Sequence, residues 1–525
     1  MRQRNHMADV LLVSPPPPGR QRQSMEHLGL GYLASMLKKN GFSVDIINAQ
    51  TEGFDFEALT KELSVRSFDV LGFSVLFQNE LKLTLDWLES MTRSGLNAHV
   101  TIGGHPATFT YQEVLDEYEC VDSVVRGEGE FTLVELVEKI KGGKDWCSTD
   151  GIAYRDGDRV VLNPSRPLIA DLNALPWPAR DAFAAHPESF DQIVVAGSRG
   201  CHCHCSFCSI ATFYRSFKGQ VWRRRDPEDV LDEIDAVRKI YPIDFVLMID
   251  DTFIGPGKIG RKQAFEFAEA LGRRRKGYFV GTSCRADQVD EELFKELRKA
   301  GLRLVFLGIE SGNEETLQLF DKRSSVETNL KALEILKKLN ISVEAGFIMF
   351  NPYTKYSNIH QDLDFLIETG LGPEVLSDLG LFPGEPLIDK LKKDKLLTGS
   401  PFNYVAKYND PGVGEFFEFV RMRLFRQNDF PAVRMGEQIL QAVKIGMLPP
   451  TTPKLKEIES TLHEFYTAVY GILHKGADMF EGLLHTEQNI SSIQTEFQKR
   501  CGDYSLKLQK IIDETQLNMN TKEPV

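Results

Sequence analysis

Two stretches of this 525-residue chain alternate short runs of Val, Ile and Leu with segments whose apolar residues recur at helical spacing. That pattern restricts the fold to the α/β class with parallel sheets. In the first stretch, 9–13, 43–47, 70–75, 100–102 and 123–125 read as buried strands, and 28–39, 56–64, 81–92 and 131–141 as the helices between them. This predicts a doubly wound, Rossmann-like sheet with its ligand at the carboxyl ends of the strands. The loops there are Ser14-Pro15-Pro16-Pro17-Pro18-Gly19, Phe73-Ser74 and Gly103-Gly104-His105-Pro106.

The second stretch places strands near 193–196, 245–249, 278–282, 304–307, 343–349 and 375–382, with helices near 227–239, 261–274, 291–300, 314–320, 326–338 and 359–369. Six such units predict a partial or full (β/α) barrel. Between the stretches, Asp156-Gly157 signals a hairpin and Pro176-Trp177-Pro178 a linker anchored by its tryptophan. Beyond residue 400 the pattern is helical. The expected organisation is a sheet domain at 7–145, a linker with hairpin at 146–190, a barrel at 191–398 and a helical region at 399–525.

A net charge of −13 gives no general attraction to nucleic acid or an anionic membrane. No run of about 18 apolar residues predicts a transmembrane segment, so a cytoplasmic protein with reduced thiols is expected. Of eight cysteines, Cys201, Cys203, Cys205 and Cys208 fall in one short window, while Cys120, Cys147, Cys284 and Cys501 are scattered, and Cys120, Cys147 and Cys501 read as packing or surface residues. Disulfide frameworks do not cluster in this way; metal sites do.

The window directly follows the first barrel strand and reads Gly197-Ser198-Arg199-Gly200-Cys201-His202-Cys203-His204-Cys205-Ser206-Phe207-Cys208. Cys201, Cys205 and Cys208 have the spacing C-x3-C-x2-C. Three thiolates on one loop suit three irons of a 4Fe-4S cluster, with the fourth iron open to an external ligand. A zinc site using His202, Cys203 or His204 is the alternative, although structural zinc normally takes two separated ligand pairs. Cys203 is an addition to the spacing and reads as a spectator or a cavity-facing residue rather than a ligand, because a fourth thiolate would close the open iron.

This spacing, with Phe207 before the last cysteine, resembles the radical S-adenosylmethionine superfamily. The resemblance implies a catalytic cluster on Cys201, Cys205 and Cys208 that cleaves S-adenosylmethionine reductively. It also implies methionine contacts from Asp250 and Asp251, for which a helix cap or turn is the alternative, and from Arg285 as a carboxylate fork. Glu310, in Gly308-Ile309-Glu310-Ser311-Gly312, would be polar at the barrel mouth, with Gly346 and Met349 along the adenine.

Residues 9–140 resemble the cobalamin-binding domain that precedes many enzymes of this superfamily, a group that includes B12-dependent methylases and anaerobic magnesium-protoporphyrin ester cyclases. The matching segments include Val13-Ser14-Pro15-Pro16, Gly103-Gly104-His105-Pro106 and Arg126-Gly127-Glu128-Gly129-Glu130. They imply cobalamin contacts from Ser14, Pro15, Ser74, Gly103, Gly104, His105 and Glu128. The Asp-x-His-x-x-Gly motif that puts histidine on cobalt is absent, and a nucleotide-binding or cofactor-free sheet is the alternative.

The expected activity is modification of an unactivated carbon, foremost methyl transfer through methylcobalamin in natural-product or cofactor biosynthesis. Oxidative cyclisation or ring rearrangement comes next, and a cobalamin or cluster sensor is the distant alternative. Expected partners are a small-molecule or peptide substrate and an external reductant of the flavodoxin or ferredoxin type, with no nucleic acid. Arg223-Arg224-Arg225 and Arg273-Arg274-Arg275 read as solvated faces. Tyr353, Tyr356 and His360 either face the cavity or pack.

Overall fold

The computed structural model describes residues 6–17, 26–93, 95–274, 277–372, 377–426, 430–449 and 451–515. Pro18, Gly19, Arg275 and the start of the strand expected at 375–382 lie outside these residues. The first sheet contains β1 (His6–Ser14), β2 (Val44–Asn48), β3 (Arg66–Ser74), β4 (His99–Gly103), β5 (Ser123–Val125), β6 (Ile152–Asp156) and β7 (Arg159–Leu162), in the order β2-β1-β3-β4-β5-β6-β7. The first five are parallel, and the β6–β7 hairpin joins antiparallel through β5. The hairpin expected in the linker therefore belongs to this sheet. Strand order reverses between β1 and β3, which places a ligand crevice at their carboxyl ends, beside Ser14 and Ser74.

The barrel starts with β8 (Ile193–Val195) and a short antiparallel ribbon of β9 (Ser198–Arg199) and β10 (Arg223–Arg224). It continues with β11 (Phe245–Met248), β12 (Phe279–Arg285), β13 (Leu302–Glu310) and β14 (Ser342–Phe347). Among the described residues these form a five-stranded parallel sheet, β14-β13-β12-β11-β8. The expected sixth strand contributes one bridge, Phe350 to Asp378. Among the described residues the barrel is thus partial.

Alternation along β13 separates the two faces of this sheet. Val305, Leu307 and Ile309 are fully buried against the surrounding helices. Leu304, Phe306, Gly308 and Glu310 point to the interior. The interior floor is a plug of Phe245, Leu304 and Ile445 with Leu247 and Phe279. Above it Phe306 stays 47% and Ile249 40% exposed, a large apolar surface left uncovered inside the barrel.

Past the barrel a hairpin, β15 (Leu397–Ser400) and β16 (Asn403–Ala406), precedes the helices Pro411–Phe419, Pro431–Ile445, Leu455–Glu481 and Glu487–Glu514. The hairpin was not expected from sequence. Its tip returns to the first domain: Phe402 is buried in that core and meets Tyr118 edge-on at 5.9 Å, while Gln78 donates to the Pro401 carbonyl. The C-terminal helices share one continuous apolar core with the barrel. Their amphipathic stripe (Ile458, Leu462, Phe465, Val469) is buried there.

Candidate active site

The cysteine loop runs from β9 to a short helix, Ser209–Arg215. Gly200 opens it at φ +89°, where an added Cβ would lie 1.9 Å from the Val221 carbonyl oxygen. Glycine is required there. Two carboxylates after β11 hold the strand that leads in. Asp250 Oδ1 accepts from the Ser198 amide and, at 2.9 Å, its hydroxyl; Asp251 Oδ2 accepts from the Gly200 amide at 2.8 Å. Burial pushes the Asp250 carboxyl up to about 6 against the pull of Arg224, and its Oδ2 is buried without a hydrogen-bond partner.

The far side of the loop is tied to the barrel. Ser206 donates its amide to the Phe320 carbonyl and its hydroxyl to Leu319, both at 2.8 Å, and its own carbonyl accepts from Leu387. Phe207 packs on Phe320 with ring centroids 4.8 Å apart. Arg215 donates to the carbonyls of His202 and Cys203 and contacts His204, and so holds all three residues between Cys201 and Cys205.

All four clustered thiols are free. Arg285, at the end of β12, places Nη1 3.4 Å from Cys205 Sγ while its Nε donates to Asp287 at 2.8 Å. A hydrogen bond from Cys203 brings the Cys201 thiol down to about 7 against burial, and burial pushes Cys208 up to about 12. Lys322, buried, donates to Glu310 Oε1 at 2.6 Å and contacts the Phe207 ring. Arg285 and Lys322 thus bring two cations to the loop, which favours thiolates and the ions that thiolates bind.

Glu310 itself sits at φ +66°, after a bulge that shifts the register between β13 and β14. Gly308 and Gly346 pair below it. Gly346 faces the barrel interior beside Phe306, whereas Met349 is 2% exposed within the core. Asp362 fixes the following turn by accepting from the Ser311 hydroxyl and the Gly312 amide.

The first domain meets this mouth with its strand-end loops. Gly104, at φ +107°, lets its loop close on Val75, whose carbonyl oxygen a Cβ would approach to 2.0 Å. His105 then stacks on Phe213 of the helix that leaves the cysteine loop, at 3.8 Å and 24°. Ser14 and Pro15 are buried at the end of β1, with Ser74 at the end of β3. Glu128 is placed differently: its oxygens accept from Arg199, Arg223 and the Ile169 amide, so it joins the two domains and the linker.

The Arg223-Arg224-Arg225 run corrects the reading of a solvated face. Arg223 pairs with Glu128; Arg225 pairs with Glu233 and Asp229; the Arg224 guanidinium lies over Phe253 and Phe267. Arg180 of the linker also reaches Glu26 and Glu233. One signal was available in the sequence: Glu233 falls within the apolar stripe Val230, Ile234, Val237, where an unpaired charge is not tolerated. Trp177, 40% exposed, anchors the linker by donating to Asp229 at 3.0 Å. Of the scattered cysteines, Cys120 and Cys501 are buried in the cores. Tyr356 packs against Phe416 and His360 against His474, away from the mouth.

Two family models match, the B12 binding domain at residues 21–137 and the Radical SAM superfamily at 195–366. The chain is a radical SAM protein with a B12-binding domain. Similar proteins include an uncharacterized methyltransferase of Pyrococcus horikoshii, 27% identical over 68% of this chain and 77% of that one. The anaerobic magnesium-protoporphyrin IX monomethyl ester cyclase of Rubrivivax gelatinosus is 31% identical over 61% and 58%, and the hopanoid C-3 methylase of Methylococcus capsulatus 28% over 62% and 61%. The chain therefore spans less than two thirds of the last two. Among solved structures, the cobalamin-dependent S-adenosylmethionine radical enzyme OxsB with aqua-cobalamin bound matches with a TM-score of 0.75 at 20% identity, over 98% of this chain and 81% of that one. The methyltransferase TsrM of Kitasatospora setae, with cobalamin and a 4Fe-4S cluster, matches at 0.61 and 17%, over 74% and 75%. These two share the fold.

The two domains of this radical SAM protein imply cobalamin, a 4Fe-4S cluster and S-adenosylmethionine, and the residues present fit them. Three free thiols lie on one loop beside two buried cations. The crevice at β1 and β3 has a glycine-bound loop, and the barrel interior keeps an uncovered apolar band. Among the described residues no helix is long and apolar enough to cross a membrane.

Proposed function

We propose that the protein is a cobalamin-dependent radical methyltransferase acting on an unactivated carbon of a small molecule or peptide. When bound, the cluster and S-adenosylmethionine supply a 5′-deoxyadenosyl radical, and cobalamin supplies a methyl group. The observation that carries the reading is the stack of His105 on Phe213. It joins the strand ends of the first sheet to the helix leaving the cysteine loop, so the two cofactor crevices would face one another.

In this reading Cys201, Cys205 and Cys208 hold the cluster, with Phe207 packed behind it. Arg285 takes the methionine carboxylate, its fork shared with Asp287, and Glu310 and Gly346 border the adenosyl group. Asp250 and Asp251 brace the loop from behind. Ser14, Pro15, Ser74, Gly103, Gly104 and His105 line the corrin crevice, while Glu128 joins the domains through Arg199 and Arg223 and Met349 packs in the core. The Phe402 tip and the linker cover the junction and exclude water. The domains run 7–145 extended by the β6–β7 hairpin, a linker to 190, the barrel to 398, and C-terminal helices fused to the barrel core. An external reductant of the flavodoxin or ferredoxin class delivers the electron in a cytoplasmic setting.

A cyclase reading is the second, favoured by the similarity to the Rubrivivax cyclase. Turnover with methyl-labelled S-adenosylmethionine separates the two. Label in the product supports the methyltransferase; substrate consumed without label entering the product supports the cyclase.

A further inference from the structure

Where the barrel meets the C-terminal helices, the helices Tyr356–Thr369 and Leu455–Glu481 run antiparallel, with His360 beside His474 and Gly370 beside His463. Each carries a histidine and an aspartate four residues apart on one face: His360 and Asp364 on the first, His474 and Asp478 on the second. The two imidazoles stack at 5.0 Å and 13°, with Nδ1 to Nδ1 at 2.7 Å. Their outer nitrogens meet carboxylates across the pair. His360 Nε2 lies 3.3 Å from Asp478 Oδ1, and His474 Nε2 lies 3.2 Å from Asp364 Oδ1. Glu481, at the end of the second helix, brings a third carboxylate. One ligand atom each from His360, Asp478 and Glu481 lies within 4.8 Å of the others.

Two neutral imidazoles carry two N–H groups. The Nδ1 contact takes one of them, because one nitrogen must donate and the other accept. Only one outer Nε2 then carries hydrogen, and the other turns a lone pair toward a carboxylate. Neither choice of tautomers removes this repulsion; an added positive charge does. The His474 side offers one carboxylate, Asp364, and the His360 side offers two. With His474 Nε2 donating to Asp364 and His360 Nδ1 donating to His474, the bare His360 Nε2 faces Asp478 and Glu481. One neutral imidazole with two carboxylates is a donor set for zinc and similar divalent ions. The hydrogen bond on the ring's other nitrogen is the usual support of a metal-binding histidine.

We propose that His360, Asp478 and Glu481 bind a divalent transition-metal ion of the zinc class, with His474 and Asp364 as positioning residues. The carboxylates are exposed and free to rotate inward to the bond lengths of about 2.0–2.2 Å that zinc requires. Water completes the coordination. The ion would fasten a barrel helix to the long C-terminal helix, independently of the cysteine loop.

Zinc alone is the probe, added by equilibrium dialysis to the full chain after its cysteine loop has been loaded with iron and sulfide, and read by elemental analysis. The expected result is about one zinc per chain beyond the cluster, with affinity weakened about 10-fold or more in Glu481→Gln and His360→Gln, and about 10- to 100-fold in His474→Gln. Iron content should stay unchanged in all three. Zinc should also raise the thermal midpoint of the parent chain and not of Glu481→Gln. Glu481 is exposed, so that variant decides even where His360→Gln fails to fold. No zinc retained, or equal retention by the parent and Glu481→Gln, overturns the site. Helix-pair stability that varies with pH while no zinc is retained assigns the charge to a proton and overturns it equally.

Discussion

The Lys322 ammonium donates to Glu310 at 2.6 Å, and both groups lie over Gly308, where an added Cβ would come within 2.7 Å of each. A buried ion pair, a left-handed glutamate and a glycine therefore form one unit at the barrel mouth. Gly308→Ala should displace the pair and weaken S-adenosylmethionine binding about 10-fold or more, because a buried pair holds only in good geometry. Gly346→Ala should do less, since its nearest contact is the movable, exposed Phe306 ring at 3.2 Å. Equilibrium binding of S-adenosylmethionine to the cluster-loaded chain measures both. Equal losses in the two variants would contradict the arrangement.

The cysteines divide three to one. Replacing Cys201, Cys205 or Cys208 by Ala should abolish retention of about four irons and formation of 5′-deoxyadenosine. Cys203→Ala should retain the iron, because Arg215 holds that part of the loop through the carbonyls of residues 202 and 203. Iron analysis after anaerobic reconstitution checks both. Loss of iron in Cys203→Ala would make that thiol a ligand.

Glu128 is the hub between the two sheets. Glu128→Gln leaves the buried Arg223 guanidinium without its carboxylate, a change that costs about 3–5 kcal/mol when one partner of a buried pair is removed. The full chain should unfold at lower denaturant, and protease should cut the linker near residues 163–180 sooner. Unchanged stability would mean that Arg223 finds another acceptor.

Glu385 is 4% exposed, its Oε2 has no partner, and burial pushes its carboxyl up to about 9. The folded chain keeps this proton up to about pH 9, whereas the unfolded chain releases it near the ordinary value of 4.5. Between these values the folded state binds more protons, so stability falls as pH rises, by at most about 1.4 kcal/mol per pH unit. Glu385→Gln removes this slope. Its stability should equal that of the parent near pH 4 and exceed it increasingly toward pH 9 in denaturant titrations. A constant difference across that range would contradict the buried, protonated carboxyl.

Both parallel sheets and the helices 28–39 and 56–64 were legible in the sequence, because period and length suffice where a strand is buried on both faces. The cysteine loop was legible because ligand spacing is local. Long-range pairing was less so. Phe402 reads as an ordinary loop residue, yet it fills the core of a domain nearly 300 residues earlier in the chain. Of the arginines at 223–225, Arg225 had a local sign in Glu233, whereas nothing local marks Glu128 as the distant partner of Arg223. Lys322 carried no signal at all, because it lies outside any periodic element and its partner Glu310 is twelve residues earlier, across a turn and a short helix.

The central claim is that cobalamin and the cluster work in one cavity to move a methyl group. The direct measurement is anaerobic incubation of the chain, loaded with iron, sulfide and cobalamin, with a reductant and methyl-labelled S-adenosylmethionine, followed by separation of the bound corrin. Label on the corrin together with 5′-deoxyadenosine in solution is the predicted result. 5′-Deoxyadenosine with an unlabelled corrin would contradict it.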